Sequence, residues 1–194
     1  ITGDAGFGVL DDYKVKFPGR FLNLGVAEQN MISFAAGLAL AGYKVFVYNI
    51  VPFVLYRCFE QVRNDICYQN LPVTLIGIGS GVTYAPGGVT HYSVEDVALA
   101  RTLPNLTILS PCDPQEAAKC AEYAFKSKNP VYIRIAKSGE PVVHHGRADV
   151  RLGLQAGYLA SASVPARCSS ADSAQPSNCG RKILPSIIQR VSWC

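Results

Sequence analysis

A chain of 194 residues is long enough to bury one proper core. With 49% of its residues apolar and 16% charged, it belongs with ordinary soluble globular domains and not with disordered chains. The net charge of +4 comes from 18 basic and 14 acidic residues, spread without the dense basic runs and interleaved aromatics that grip nucleic acid, so a nucleic-acid partner is not expected.

Taken in chain order, the opening Ile1-Thr2-Gly3-Asp4 reads as a truncated strand, as in a fragment. Short β-branched runs then predict buried parallel strands over residues 21–24, 44–48, 72–78, 106–109 and 131–135. Helical spacing, often after a proline or capping signal, predicts helices over 27–41, 54–68, 94–102 and 114–127. Regular alternation of this kind specifies an α/β fold: an open, mostly parallel sheet with helices on both faces, whose ligands gather beyond the carboxyl ends of the strands. Gly42, Lys44, Asn49 and Pro52 divide the apolar stretch from Met31 to Tyr56 into pieces too short to span a bilayer, so no membrane partner is expected.

The α/β pattern occupies residues 1–146. From 147 to 194 Arg, Ser, Ala, Pro and Cys dominate and charge patterning disappears, so this segment reads as an irregular tail of uncertain authenticity with no assigned function. Seven cysteines, an odd number, form no C-x-x-C pair and stand at no zinc-ligand spacing with His91, His144 or His145. The expectation is scattered thiols in a reducing cytoplasm, with no disulfide framework and no metal site built by this chain. No charged leader with an apolar core marks the chain for export.

Gly25-Val26-Ala27-Glu28-Gln29-Asn30-Met31 sets a carboxylate in the first turn of a helix directly after a strand. By position alone, Glu28 complements the helix dipole. Three further blocks accompany it: the aromatic loop around Phe53, the Thr90-His91 pair after a glycine-rich loop, and Pro104-Asn105-Leu106 ahead of Ser110-Pro111. In this order the four blocks resemble the pyrimidine-binding domain of transketolases and deoxyxylulose-5-phosphate synthases. The nearest likeness is to the small subunit of split transketolases, in which the two cofactor-binding halves are separate chains.

That resemblance implies a thiamine diphosphate enzyme that transfers a two-carbon ketol unit between sugar phosphates. Glu28 then binds a ring nitrogen of the cofactor's aminopyrimidine and manages its proton, while the cofactor carries the carbon chemistry. Phe53 stacks on that ring and Tyr56, one turn on, shares the role. Asp4 and Ala5 match the family's Asp-Leu pair near the cofactor, with Ala5 a departure. His91 assists proton transfer at substrate oxygens, although Gly87 stands where transketolases carry an aspartate. Arg134 and Lys137 match positions for the substrate phosphate; Lys137 replaces an arginine and offers a point charge in place of a bidentate fork.

The diphosphate-holding Gly-Asp-Gly element is not matched. Gly3-Asp4-Ala5, with Asn30 downstream, lacks the third glycine and falls in the wrong strand. Magnesium and diphosphate are therefore expected on a diphosphate-binding partner subunit or domain in a homo- or hetero-oligomer. Alternatives are a half-site like that of deoxyxylulose-5-phosphate synthase or of a 2-oxo acid dehydrogenase β-subunit, and a truncated domain without catalysis.

Overall fold

The computed structural model describes residues 1–137, 139, 141–143 and the backbone of Leu159–Ala160. Of the two units into which the chain divides, Val164–Cys194 lies outside the described residues, as does the rest of the 147–194 tail apart from that dipeptide.

Among the described residues five strands form one sheet: β1 (Val45–Ile50), β2 (Val73–Ile78), β3 (Thr107–Leu109), β4 (Val131–Ile135) and β5 (Leu159–Ala160). Their order is β1-β2-β4-β3-β5, and every pairing is parallel. The helices are α1 (Asp11–Lys16), α2 (Glu28–Leu40), α3 (Phe59–Gln61), α4 (Asp96–Ala100) and α5 (Pro114–Lys126). This is the open parallel α/β arrangement the alternation predicts, with most boundaries within two residues.

Side chains alternate between the two faces of the sheet, as the pleat requires. Val45, Val47, Ile108 and Tyr132 face a large core shared with Met31, Ile32 and Ala35 of α2. Leu109, Val131 and Ile133 face the other side, against Cys120 and Ala124 of α5. Helices therefore cover both faces. The sheet's strands are apolar on both sides because neither face meets water.

Two expectations change. Residues 21–24 are not a strand but an extended segment held by one parallel bridge, Thr2 to Asn23, while Thr2 also bridges Tyr48. The hydrogen bonds Thr2 N to Leu22 O and Leu24 N to Thr2 O, both 2.9 Å, are the whole ladder. Just beyond Thr2 the neighbouring segment turns away through Asp4 at φ 54° and Gly6 at φ 86°, so no further pairs form.

The helix expected over 54–68 starts earlier and is irregular: π turns at Pro52–Tyr56 and Val62–Cys67 flank α3. A π turn inserts an extra residue and re-aims the side chains around it, and such turns concentrate at functional sites. Among the described residues, no helix is long and apolar enough to cross a membrane.

Candidate cofactor and substrate site

Gly25, at φ 68°, turns the chain out of the Thr2–Asn23 bridge and into α2. The left-handed conformation costs glycine little and other residues more. Along α2 the buried residues are Glu28, Met31, Ile32, Ala35, Ala36 and Ala39, one stripe at helical spacing. Glu28 thus belongs to the inward face. It is 5% exposed, whereas a carboxylate that only complements a helix dipole has no reason to leave water.

Its partner comes from the π turn. Arg57 Nη1 donates to Glu28 Oε1 at 2.9 Å, and the same guanidinium lies over the Phe53 ring, 4.5 Å from Cζ to the centroid. Phe53 in turn meets His91 at 5.4 Å between centroids, nearly perpendicular at 79°. Glu28, Arg57, Phe53 and His91 therefore form one connected string, although 63 residues separate its ends in sequence (91 − 28). Burial first, and the Glu28 charge second, push the neighbouring Cys58 thiol up to about 12, with Arg57 pulling the other way.

The chemistry of His91 is set by its neighbour. Thr90 Oγ1 donates to Gly87 O at 3.1 Å and lies 2.9 Å from His91 Nδ1. A hydroxyl has one proton to give. With that proton directed at Gly87 O, Oγ1 is placed to accept from Nδ1–H, the tautomer that would leave the lone pair on Nε2. A Cβ on Gly87 would lie 2.8 Å from His91 Cγ and 2.9 Å from Nδ1, so any larger residue at 87 would require the ring to shift.

Tyr56, the other aromatic, donates its hydroxyl to Glu95 Oε2 at 3.2 Å. Burial, the Asp96 charge and the Glu95 hydrogen bond all raise its pKa, so it stays a neutral donor. Asp4 and Ala5 lie beside the start of α2. Asn23 Oδ1 accepts from both Asp4 N (2.9 Å) and Gly25 N (3.0 Å), and Ala5 N donates to Thr2 Oγ1 at 3.3 Å. Asp4 Oδ1 also accepts from Asn23 Nδ2 at 3.4 Å.

The two basic residues have other neighbours. Lys137, in the loop after β4, holds its ammonium 5.9 Å from the centroid of the Tyr84 ring. Arg134 turns inward: Nε donates to Asp96 Oδ2 at 2.6 Å and Nη1 to Ser110 Oγ at 3.4 Å. Tyr132 gives its hydroxyl to the same Asp96 oxygen at 2.9 Å, and burial followed by the Asp96 charge raises the tyrosine's pKa. Arg134 is committed within the protein.

Sequence reasoning did not single out Arg57, Glu95 or Asp96. Arg57 carries a usable signal, since it follows Phe53 by four residues and so shares its helical face. Glu95 and Asp96 carry none, because their partners come from distant elements.

Glu28, Phe53, Arg57 and Lys137 follow the carboxyl end of a strand or of the bridged segment before Gly25, where ligands of open α/β sheets bind. An all-parallel α/β domain with an inward carboxylate at a helix start, an aromatic ring against its cation and a histidine on that ring defines the class. The chain belongs to the family described as transketolase, pyrimidine binding domain, whose model matches residues 2–141.

Relatives agree. The chain is 40% identical over 130 residues to an apulose-4-phosphate transketolase subunit of Actinobacillus succinogenes, covering 67% of this chain and 42% of that protein. It is 38% identical over 125 residues to 1-deoxy-D-xylulose-5-phosphate synthase 2 of Geobacter sulfurreducens, covering 64% and 20%. Among solved structures it matches a split-gene transketolase described as an inactive β4 tetramer at 35% identity and a TM-score of 0.66, covering 75% of this chain and 47% of that one. The chain thus spans less than half the length of these relatives.

Proposed function

We propose that the chain supplies the aminopyrimidine side of a thiamine diphosphate site and acts as one half of a transketolase-type enzyme that moves a two-carbon ketol unit between sugar phosphates. Residues 1–146 are the pyrimidine-binding unit in this reading. The observation that carries it is the inward, 5% exposed Glu28 beside the Arg57-covered ring of Phe53. A flat heterocycle with an N–H edge needs a carboxylate acceptor and an aromatic face, and these residues offer both.

Thiamine diphosphate, when bound, supplies the thiazolium carbon as nucleophile. Glu28 holds a proton at a ring nitrogen, and Phe53 with Tyr56 orients the ring. Asp4 and Ala5, tied through Asn23 to the start of α2, border the same site. His91, with its Nε2 lone pair available, exchanges a proton with a substrate oxygen. Lys137 meets the substrate phosphate as a point charge. Arg134 was the other candidate for that phosphate; its ion pair with Asp96 favours a supporting role under the site.

Magnesium and the diphosphate belong to a partner subunit or domain in this reading. Asp4, the one acidic residue of the partial Gly-Asp-Gly match, is engaged with Asn23. A homo- or hetero-oligomer follows, and a relative described as an inactive tetramer of one subunit type fits a half-site that does not turn over alone. The thiols of Cys58, Cys67, Cys112 and Cys120 are free, which suits a cytoplasmic setting. The likeness to deoxyxylulose-5-phosphate synthase supports a second reading of the same half-site, distinguished by whether 1-deoxy-D-xylulose 5-phosphate is the product.

Glu28→Gln in the complex with the partner subunit tests the proposal. Proton management by Glu28 predicts thiazolium proton exchange, followed by NMR, at least about a hundredfold slower than wild type, with the fold retained. Wild-type exchange in the variant would end the assignment.

A further inference from the structure

We propose that Arg57 is the internal occupant of the ring subsite between Glu28 and Phe53, and that it selects for rings able to replace it. This rests on the pyrimidine-site reading above. The two groups that would recognise an aminopyrimidine are a carboxylate that accepts an N–H and an aromatic face. One side chain now holds both: Arg57 Nη1 is 2.9 Å from Glu28 Oε1, and Cζ is 4.5 Å from the Phe53 centroid. A guanidinium is flat, delocalised and rich in N–H donors, and it stacks on aromatic faces. In shape, charge and N–H edge it resembles the aminopyrimidine protonated at the ring nitrogen that Glu28 holds.

The geometry also says which member moves. Glu28 is fixed on the buried face of α2, and the π turn is anchored by Val54, Leu55 and Cys58, all with no exposed surface. Phe53 is closed on another side by His91. Arg57 is 48% exposed, and Gln29 Nε2 reaches only its backbone carbonyl, at 3.4 Å. The guanidinium can swing into water without moving the backbone.

Displacement leaves a 5% exposed carboxylate without its cation, and a buried charge left unpaired is heavily penalised. A ligand compensates only if it brings an N–H donor to Glu28. A ring that merely stacks on Phe53 does not. Arg57 therefore acts as a filter that rejects apolar aromatics and admits amino-substituted heterocycles, an instance of specificity obtained by penalising the wrong ligand.

The test uses the 194-residue chain and two probes that need no diphosphate site: 4-amino-5-hydroxymethyl-2-methylpyrimidine and benzyl alcohol. Removing the occupant in Arg57→Ala is expected to tighten aminopyrimidine binding by about threefold or more, by relieving the competing state, and to admit benzyl alcohol, which wild type refuses. Arg57→Lys, which keeps a cation for Glu28 but loses the flat face, is expected in between. In wild type, saturation with the aminopyrimidine should move the Arg57 guanidinium NMR resonances to free-arginine positions, a readout that holds even if Arg57→Ala does not fold. Equal or weaker aminopyrimidine binding in Arg57→Ala, or guanidinium signals unmoved at saturation, overturns the occupant while leaving the pyrimidine site standing. Binding by no variant, with the fold intact by circular dichroism, removes the pyrimidine site and the occupant together.

Discussion

Arg134 Nε meets Asp96 Oδ2 at 2.6 Å beneath the carboxyl edge of the sheet, with the two side chains 20% and 1% exposed. The pair joins β4 to the first residue of α4, and Tyr132 on β4 adds its hydroxyl to the same oxygen. Asp96 Oδ1 has no hydrogen-bond partner among the described residues, so the carboxylate depends on Arg134.

Arg134→Ala is therefore expected to act on stability before activity. Removing one partner of a buried pair typically costs about 3–5 kcal/mol, and urea unfolding should register a loss of that order. Replacing both residues, as Arg134→Met with Asp96→Leu, should cost less than Arg134→Ala alone, because no charge is left stranded. A purely phosphate-binding Arg134 predicts the reverse: unchanged unfolding and a raised KM.

The Thr90 contact to His91 Nδ1 makes a spectroscopic prediction. In wild type, ¹⁵N NMR of the neutral imidazole should report the Nδ1–H tautomer. Thr90→Val should shift the ring toward a tautomer mixture, and Thr90→Ser should restore it. Gly87→Ala, whose Cβ would stand 2.8 Å from the His91 ring, should displace the ring and its signals even with Thr90 present. An unchanged tautomer in Thr90→Val would remove Thr90 as the group that orients His91.

The N-terminus of α5 gives a stability prediction with no expected effect on the site. Asp113 Oδ1 accepts from Glu116 N at 2.9 Å as the helix cap, and Asp113 Oδ2 accepts from Val143 N at 3.1 Å. Asp113→Ala should lower stability by about 1–2 kcal/mol, while Asp113→Asn should recover most of the cap. Thermal unfolding of the two variants checks this.

Alkaline stability follows from two buried thiols. Burial is the leading cause that raises Cys58 and Cys67 from 9.0 to about 12. Below pH 9 both are protonated, folded or unfolded, and their contribution is fully present. As pH rises from 9 toward 12 the unfolded chain releases these protons and the folded one keeps them, so stability falls. The slope is up to about 1.4 kcal/mol per pH unit for each group. Denaturation titrations should show this loss, with a shallower slope in Cys67→Ala. A slope unchanged by that substitution would exclude Cys67 as a contributor.

The local record of strand and helix was legible in the residues because burial on both faces demands β-branched runs and buried helix faces demand helical spacing. On those grounds Val131–Ile135 was expected with the bounds it has, and α2 to within one residue at each end. The placing of Glu28 at the start of a helix was legible too, since Gly25 and the helical spacing after it are local. Residues 21–24 misled for the same reason: their composition suits a strand, but a strand exists only where a partner runs beside it, and here the neighbouring segment turns off after Thr2. Only the tertiary structure decided which charges face which. Arg57 finds Glu28 across 29 residues and Arg134 finds Asp96 across 38, and pairings at such separations depend on how α2, the π turns, α4 and β4 pack, which no local pattern encodes.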